Sequence, residues 1–145
     1  MTIQVKIKKL HPDSVIPQYA KPGDAGMDLT AVNITVNKSE DFMGTITVDS
    51  GLAVEIPEGY VGLIFPRSSI YKNNTVLSNS VGVIDSGYRG SINAVFLADE
   101  DIFGYKIGDR FAQLMILPYP QVIFKEVEEL SITERGNGGY GSTGN

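Results

Sequence analysis

The sequence predicts an all-β domain, a barrel or a sandwich, and three observations carry that prediction. Short apolar runs rich in Val, Ile and Phe recur along the chain. Clusters of Gly, Pro, Asn and Asp separate them, as at Pro57-Glu58-Gly59 and Gly108-Asp109. No stretch carries a long amphipathic helical repeat. Closely spaced strands with turn signals between them are the pattern of a closed or two-layered β architecture.

The elements follow in chain order. Ile3, Val5 and Ile7 alternate with Gln4, Lys6 and Lys8, which marks a half-buried strand. Further strands are expected over Thr45–Val48, Leu52–Ile56, Val61–Phe65, Val81–Ile84, Ile92–Leu97, Phe111–Leu117 and Val122–Phe124. One or two helical turns are expected after Ser68, through Ile70-Tyr71-Lys72-Asn73. The end of the chain, residues 135–145, reads RGNGGYGSTGN. So glycine-rich a segment cannot bury enough surface to order itself. It is either a loose terminus or a mobile lid. The isolated Arg135, the isolated Tyr140 and the Ser142-Thr143 pair favour the lid. The expected organisation is a β domain over residues 1–134 and a flexible lid over 135–145.

Composition narrows the classes. The 145 residues, 42% hydrophobic and 20% charged, suffice for one domain with a real core. No leader of charged, apolar and small residues is seen, and no apolar run approaches the roughly 20 residues that span a bilayer. A cytoplasmic protein with no membrane partner is therefore expected. The absence of cysteine excludes disulfides, Cys-ligated zinc and cysteine nucleophiles. The single histidine, His11, excludes a multi-His metal site and reads as a surface residue. A net charge of −5 argues against a nucleic-acid partner held on a broad basic face. An anionic small ligand must then be met locally, by Arg67, Arg89, Arg110 or Arg135.

Five segments carry more chemistry than their local structure needs. In residues 82–90, GVIDSGYRG, an apolar strand end runs into Asp85, a Ser86-Gly87 turn, then Tyr88-Arg89. A hairpin needs only the turn. Asp85 could take a proton from water or a hydroxyl, and the Tyr88 ring could lie flat against a sugar or base. Asn79 ahead of the strand offers both a donor and an acceptor. In Pro66-Arg67-Ser68-Ser69, the proline ends a strand and two serines stand where they could cap a short helix or cradle a phosphate. Asp28, between apolar Met27 and Leu29 in Ala25-Gly26-Met27-Asp28-Leu29, sits where a strand should start, and taken alone it reads as a turn-capping carboxylate. In Gly108 to Leu114, Gln113 falls on the face of Phe111 by period-two spacing, so its amide needs a buried backbone partner or a ligand. The lid is the fifth segment.

Taken in order, AGMDL, PRSS, NSVGVIDSGYRG, GDRFAQL and RGNGGYGSTG resemble the five motifs of the trimeric dUTPase family, over most of the chain. The resemblance implies a distorted β jelly roll of the β-clip type, a homotrimer with active sites shared between subunits, and hydrolysis of dUTP to dUMP and pyrophosphate with Mg²⁺ on the triphosphate. It assigns Asp85 to the attacking water and the deoxyribose 3′-hydroxyl, and Tyr88 to the face of the deoxyribose, where it leaves no room for a 2′-hydroxyl. Asn79 with the backbone of Gly82, Val83 and Ile84 falls where the family reads uracil. Arg67, Ser68, Ser69 and Gln113 fall at phosphate positions, and Asp28 near the metal, through water. Arg135 is directed to phosphate, Tyr140 (where phenylalanine is usual) to the base, and Gly141, Ser142 and Thr143 to closure over the γ-phosphate. A dCTP deaminase of the same fold should show a glutamate after the hairpin, yet Ser91–Leu97 holds no carboxylate. A regulatory protein that keeps the fold would more easily have lost Asp85 or the lid, and both are present.

Overall fold

The computed structural model describes residues 2–37, 44–98 and 103–140. Among these lie ten strands and one 3₁₀ turn, Ile70–Asn73. The strands are β1 Lys6–Lys9, β2 Met27–Thr30, β3 Asn33–Asn37, β4 Gly44–Asp49, β5 Leu52–Glu55, β6 Tyr60–Pro66, β7 Thr75–Leu77, β8 Gly82–Ile84, β9 Asn93–Ala98 and β10 Arg110–Pro118. Two four-stranded sheets, ordered β2-β10-β6-β8 and β3-β4-β9-β7, and a two-stranded β1-β5 ribbon make a distorted jelly roll. All the pairings are antiparallel.

Period-two patterning places the core. On β4, Ile46 and Val48 point inward, and on β9, Ala94, Phe96 and Ala98 do. They meet Leu29, Ile64, Phe111 and Leu114 from the other sheet in one cluster. The buried hydroxyls of Ser14 and Ser50 are satisfied. The Ser14 hydroxyl donates to the carbonyls of Ser50 and Gly51 at 3.0 and 2.7 Å, and the Ser50 hydroxyl to that of Ile92 at 2.6 Å.

Four expectations change. The N-terminal alternation holds in burial, but ladder pairing begins only at Lys6, opposite Glu55. β3 and β7 form where no strand was expected. Val122–Phe124 forms no strand: it finds no partner among the described residues, and Ile123 and Phe124 are more than nine-tenths exposed. Gln113 does not share the face of Phe111. A β-bulge between Arg110 and Ala112 buries Phe111 and Ala112 in succession, so the alternation restarts and Leu114, not Gln113, enters the core.

Phe96 is fully buried at the centre of the cluster, 5.4 Å from the ring of Tyr105. Phe96→Ala is expected to lower unfolding free energy by about 3–5 kcal/mol, because the cavity collapses only partly. Urea denaturation followed by circular dichroism measures this, and a loss below about 1 kcal/mol would contradict the packing.

Candidate active site

The hairpin segment builds one half of the site. β8 lies at the edge of its sheet, paired on one side with β6 through Gly62↔Ile84, Leu63↔Val83 and Ile64↔Gly82. An edge strand presents backbone N–H and C=O groups along its other side, suited to reading the edge of a base. β8 lines a cleft of about 190 Å³ which also takes in Asn79, Asp85 and Tyr88. Since drug-sized pockets hold roughly 300–1,000 Å³, this cleft takes only part of a nucleotide. After β8 the chain turns, with the Tyr88 N–H donating to the Asp85 carbonyl at 3.0 Å. Asp85 is left exposed at the mouth. The Tyr88 hydroxyl donates to the Ser91 carbonyl at 3.1 Å. Arg89 takes no part, because its guanidinium folds back on the turn and donates to the carbonyls of Ser86 and Tyr88 at 2.6 and 2.9 Å.

The second half is cationic. Arg67, just past the end of β6, donates from Nε to Asp28 Oδ1 at 2.9 Å, and Arg110 donates from Nη1 to Asp28 Oδ2 at 3.2 Å. One carboxylate thus holds two guanidinium groups side by side. Gln113 pairs with Asp28 across β10 and β2 and with Phe65 across β10 and β6, so all three share the outer face of the sheet. Gly26 allows that approach, since a Cβ there would sit 3.4 Å from Gln113. Beside the pair lies a depression of about 480 Å³, reached by Arg67, Ser69, Lys72 and Arg110. Three cations (Arg67, Lys72, Arg110) stand there against the carboxylates of Asp28 and Asp109, which leaves a local surplus of one positive charge. Burial pushes the Tyr105 hydroxyl in its wall above the ordinary tyrosine value, which keeps it protonated.

Ser68 and Ser69 begin the 3₁₀ turn as expected. The Ser69 hydroxyl, at the cap position, makes no bond to the helix. The reading of the serines as plain helix caps is therefore corrected. A 3₁₀ turn of four residues is closed by its backbone, here through Ile70 N–H to the Arg67 carbonyl at 2.9 Å. Asp28 is not a turn cap: it lies within β2, with its carboxylate occupied by the arginines. His11 is half-buried in the turn beside Gly51, where its Nδ1 accepts the Asp13 N–H at 3.2 Å.

The lid residues are not brought to either half. Arg135 Nε donates to the Gly138 carbonyl at 3.1 Å, and Tyr140 is fully exposed. Gly141, Ser142 and Thr143 lie outside the described residues. The sequence reading missed Ser91 and Asn93, which line the cleft beside Tyr88. It also missed the bond of Arg110 to Asp28, a contact across 82 positions that no local pattern signals.

With this geometry in place, comparison decides the lineage. The family model described as dUTPase matches residues 13–144. The chain belongs to the dUTPase family. A deoxyuridine 5′-triphosphate nucleotidohydrolase of Thermobifida fusca is 42% identical over 147 residues, spanning 99% of this chain and 80% of its own length. One from Dictyoglomus turgidum is 38% identical over 146 residues, spanning 98% and 99%. Among solved structures, a mutant dUTPase of Staphylococcus bacteriophage 80alpha with dUpNHpp superposes with a TM-score of 0.82 at 28% identity, covering 99% of this chain and 100% of its own. A mutant dUTPase from phage phi11 of S. aureus, described with a structural Mg(II) ion, gives 0.70 at 25% identity over 88% of this chain and 98% of its own.

The dUTPase arginine cluster rests on Asp28, which is about four-fifths buried. Asp28→Ala leaves two facing guanidinium groups without their anion. A loss of about 1–3 kcal/mol is expected from urea denaturation, larger at low salt than at high, and an unchanged stability would remove Asp28 as their anchor.

Proposed function

We propose that this dUTPase hydrolyses dUTP to dUMP and pyrophosphate by attack of water on the α-phosphate, lowering dUTP and supplying dUMP for thymidylate synthesis. The observation that carries the proposal is one cleft that combines an open strand edge, a ring and a carboxylate at its mouth. Uracil is read by Asn79 and the backbone of Gly82, Val83 and Ile84. Cytosine would put a donor where uracil has an acceptor and leave buried groups unpaired. Tyr88 lies along the deoxyribose and excludes a 2′-hydroxyl.

The chemistry needs alignment and neutralisation more than covalent help. Asp85 orients a water against the α-phosphorus and accepts its proton as the new O–P bond forms. The bond from the α-phosphorus to the bridging oxygen breaks, and pyrophosphate leaves with that electron pair. Arg67, Ser68, Ser69 and Gln113 hold the phosphates. The lid, with Arg135 on phosphate, Tyr140 on the base and Gly141, Ser142 and Thr143 over the terminal phosphate, excludes bulk water. Its glycines allow close wrapping, at an entropic cost on each closure.

Mg²⁺ is proposed to come with the substrate. No group of three or more acidic or histidine side chains gathers among the described residues, and the carboxylate of Asp28 is shared by two arginines. This donor set fits a metal held mainly by the phosphates, with Asp28 reaching it through water. When bound, Mg²⁺ would neutralise phosphate charge.

The assembly is proposed to be a homotrimer with shared sites. Ile84, next to Asp85, pairs with Gly62, whereas Arg67 lies five residues further along β6. At about 3.3 Å per residue, the two ends of the site are roughly 16 Å apart in one chain. The β- and γ-phosphates are only two P–O–P links from the α-phosphorus, and this separation supports a site in which Asp85 and Arg67 come from different copies. The arginine-bearing face supports this: Val61, Leu63, Phe65, Met115 and Val83 share it by register, and Val83 is 65% exposed.

Asp85→Asn keeps the shape and removes the base. It is expected to retain dUTP affinity within a few-fold and to lower kcat by about 10²–10⁴. Pyrophosphate release from dUTP, with dCTP, dTTP and UTP run alongside, measures this. A wild-type rate would remove Asp85 from the chemistry, and equal turnover of all four nucleotides would overturn the uracil and deoxyribose assignments.

A further inference from the structure

The steps above leave unexplained how the Tyr88 ring is held. The residue keeps 45% of its surface exposed, so burial alone does not fix it. Its hydroxyl is tied to the Ser91 carbonyl at 3.1 Å, and its ring lies against Gly90, where a Cβ would collide with the hydroxyl and the ring edge. The ring is therefore only as well placed as residues 90–91.

Those residues are anchored from the β1-β5 ribbon and from the second sheet. The Ser91 carbonyl and the Ile92 N–H belong to one planar peptide unit. The N–H side donates to the Leu52 carbonyl at 2.8 Å, which turns the C=O side toward Tyr88. The same carbonyl accepts from Asn93 Nδ2 at 3.2 Å. The Ser91 hydroxyl donates to Asp49 Oδ1, a charge-assisted bond and hence among the stronger ones. Asp49 is fixed in turn, because the same oxygen accepts the Gly51 N–H at 2.7 Å and the residue pairs with Asn93 across β4 and β9. A chain of bonds thus runs from a part-buried carboxylate on one sheet to a phenol in a cleft of the other.

We propose that Asp49 and Ser91 are positioning residues for Tyr88, holding its ring where it bars a 2′-hydroxyl and so setting deoxyribose selectivity from across the fold. The proposal rests on the reading of Tyr88 given under Proposed function. Neither residue is given any contact with the nucleotide. Both act through the angle of the ring. A shift of the ring by a fraction of an ångström opens room for a hydroxyl without emptying the cleft.

The test measures kcat/KM for dUTP and for UTP in the full-length enzyme carrying Ser91→Ala, Ser91→Thr or Asp49→Asn, each with and without Tyr88→Ala. Ser91→Ala is expected to lower the dUTP-to-UTP ratio about fivefold, the scale of one lost hydrogen bond. Ser91→Thr, which restores the hydroxyl, keeps the ratio. Asp49→Asn retains an acceptor for the Gly51 N–H without the charge, and should lower the ratio by a smaller factor. That variant keeps the test open should Ser91→Ala fold poorly. In the Tyr88→Ala background none of the three changes the ratio further. A general loss of stability would lower both substrates alike and leave the ratio untouched. If Tyr88→Ala lowers the ratio while Ser91→Ala and Asp49→Asn do not, the positioning role is overturned and the reading of Tyr88 stands. Additive effects in the double variants would mean that Ser91 senses the sugar directly, which also overturns it. If Tyr88→Ala itself leaves the ratio unchanged, the reading of Tyr88 fails first.

Discussion

The pairing of β6 with β8 governs the rest of the structure. Gly62 stands opposite Ile84 and Ile64 opposite Gly82, a reciprocal pair of contacts in which each isoleucine packs over a glycine. A side chain on either glycine would press on its neighbours. A Cβ on Gly62 would lie 2.8 Å from Ile56 Cδ1, and one on Gly82 would lie 3.1 Å from Ile64 Cβ. A one-residue slip would set Ile84 against a branched side chain, Val61 or Leu63, in place of glycine and turn Asp85 to the other face. The register therefore fixes where the carboxylate stands and which way the free edge of β8 faces. It also sends Asp85 and Arg67 to opposite ends of β6.

Electrostatics then separates the two ends. At the proposed phosphate end, one carboxylate holds two guanidinium groups on the outer face of the sheet, so both are oriented before any ligand arrives. Preorganised cations cost no rearrangement when phosphate charge is bound. At the proposed base end, no comparable cluster of charge lines the cleft among the described residues, where a strand, a ring, Asn79 and Asp85 gather. A nucleotide has the same polarity, neutral at one end and anionic at the other. The apolar stripe of Leu63, Phe65 and Met115 runs along the arginine-bearing face, which is the surface a neighbouring copy would cover.

Much of this was legible in the sequence, and the misses have physical causes. Strands with strong alternation or long apolar runs were readable because burial imposes a period of two. β7, three residues long, is too short to show a period, and its pairing with β9 is what makes it a strand. β3 alternates weakly, with Ile34 part-buried and Val36 exposed, and its pairing with β4 is what makes it a strand. Gln113 was put on the wrong face because a bulge leaves no mark in a pattern of residue types. Val122–Phe124 has the composition of a strand, but a strand also needs a neighbour, and this chain offers it none among the described residues. Asp85, Tyr88 and Arg67 were recognisable because a carboxylate, a ring and a guanidinium crowd turns that need none of them. The Ser91–Asp49 and Arg110–Asp28 bonds were not, since each joins residues far apart in sequence.

The central claim is that one site is assembled from two copies, Asp85 from one and Arg67 from the other. Mixed oligomers test it directly. Chains carrying Asp85→Asn and chains carrying Arg67→Ala, each nearly inactive alone, are co-expressed with different tags and purified through both. Sites that pair the intact Asp85 of one chain with the intact Arg67 of the other should then restore dUTP hydrolysis to a sizeable fraction of the wild-type rate. Mixed oligomers of proven composition that stay as inactive as either parent would place both residues in one chain's site and contradict the account.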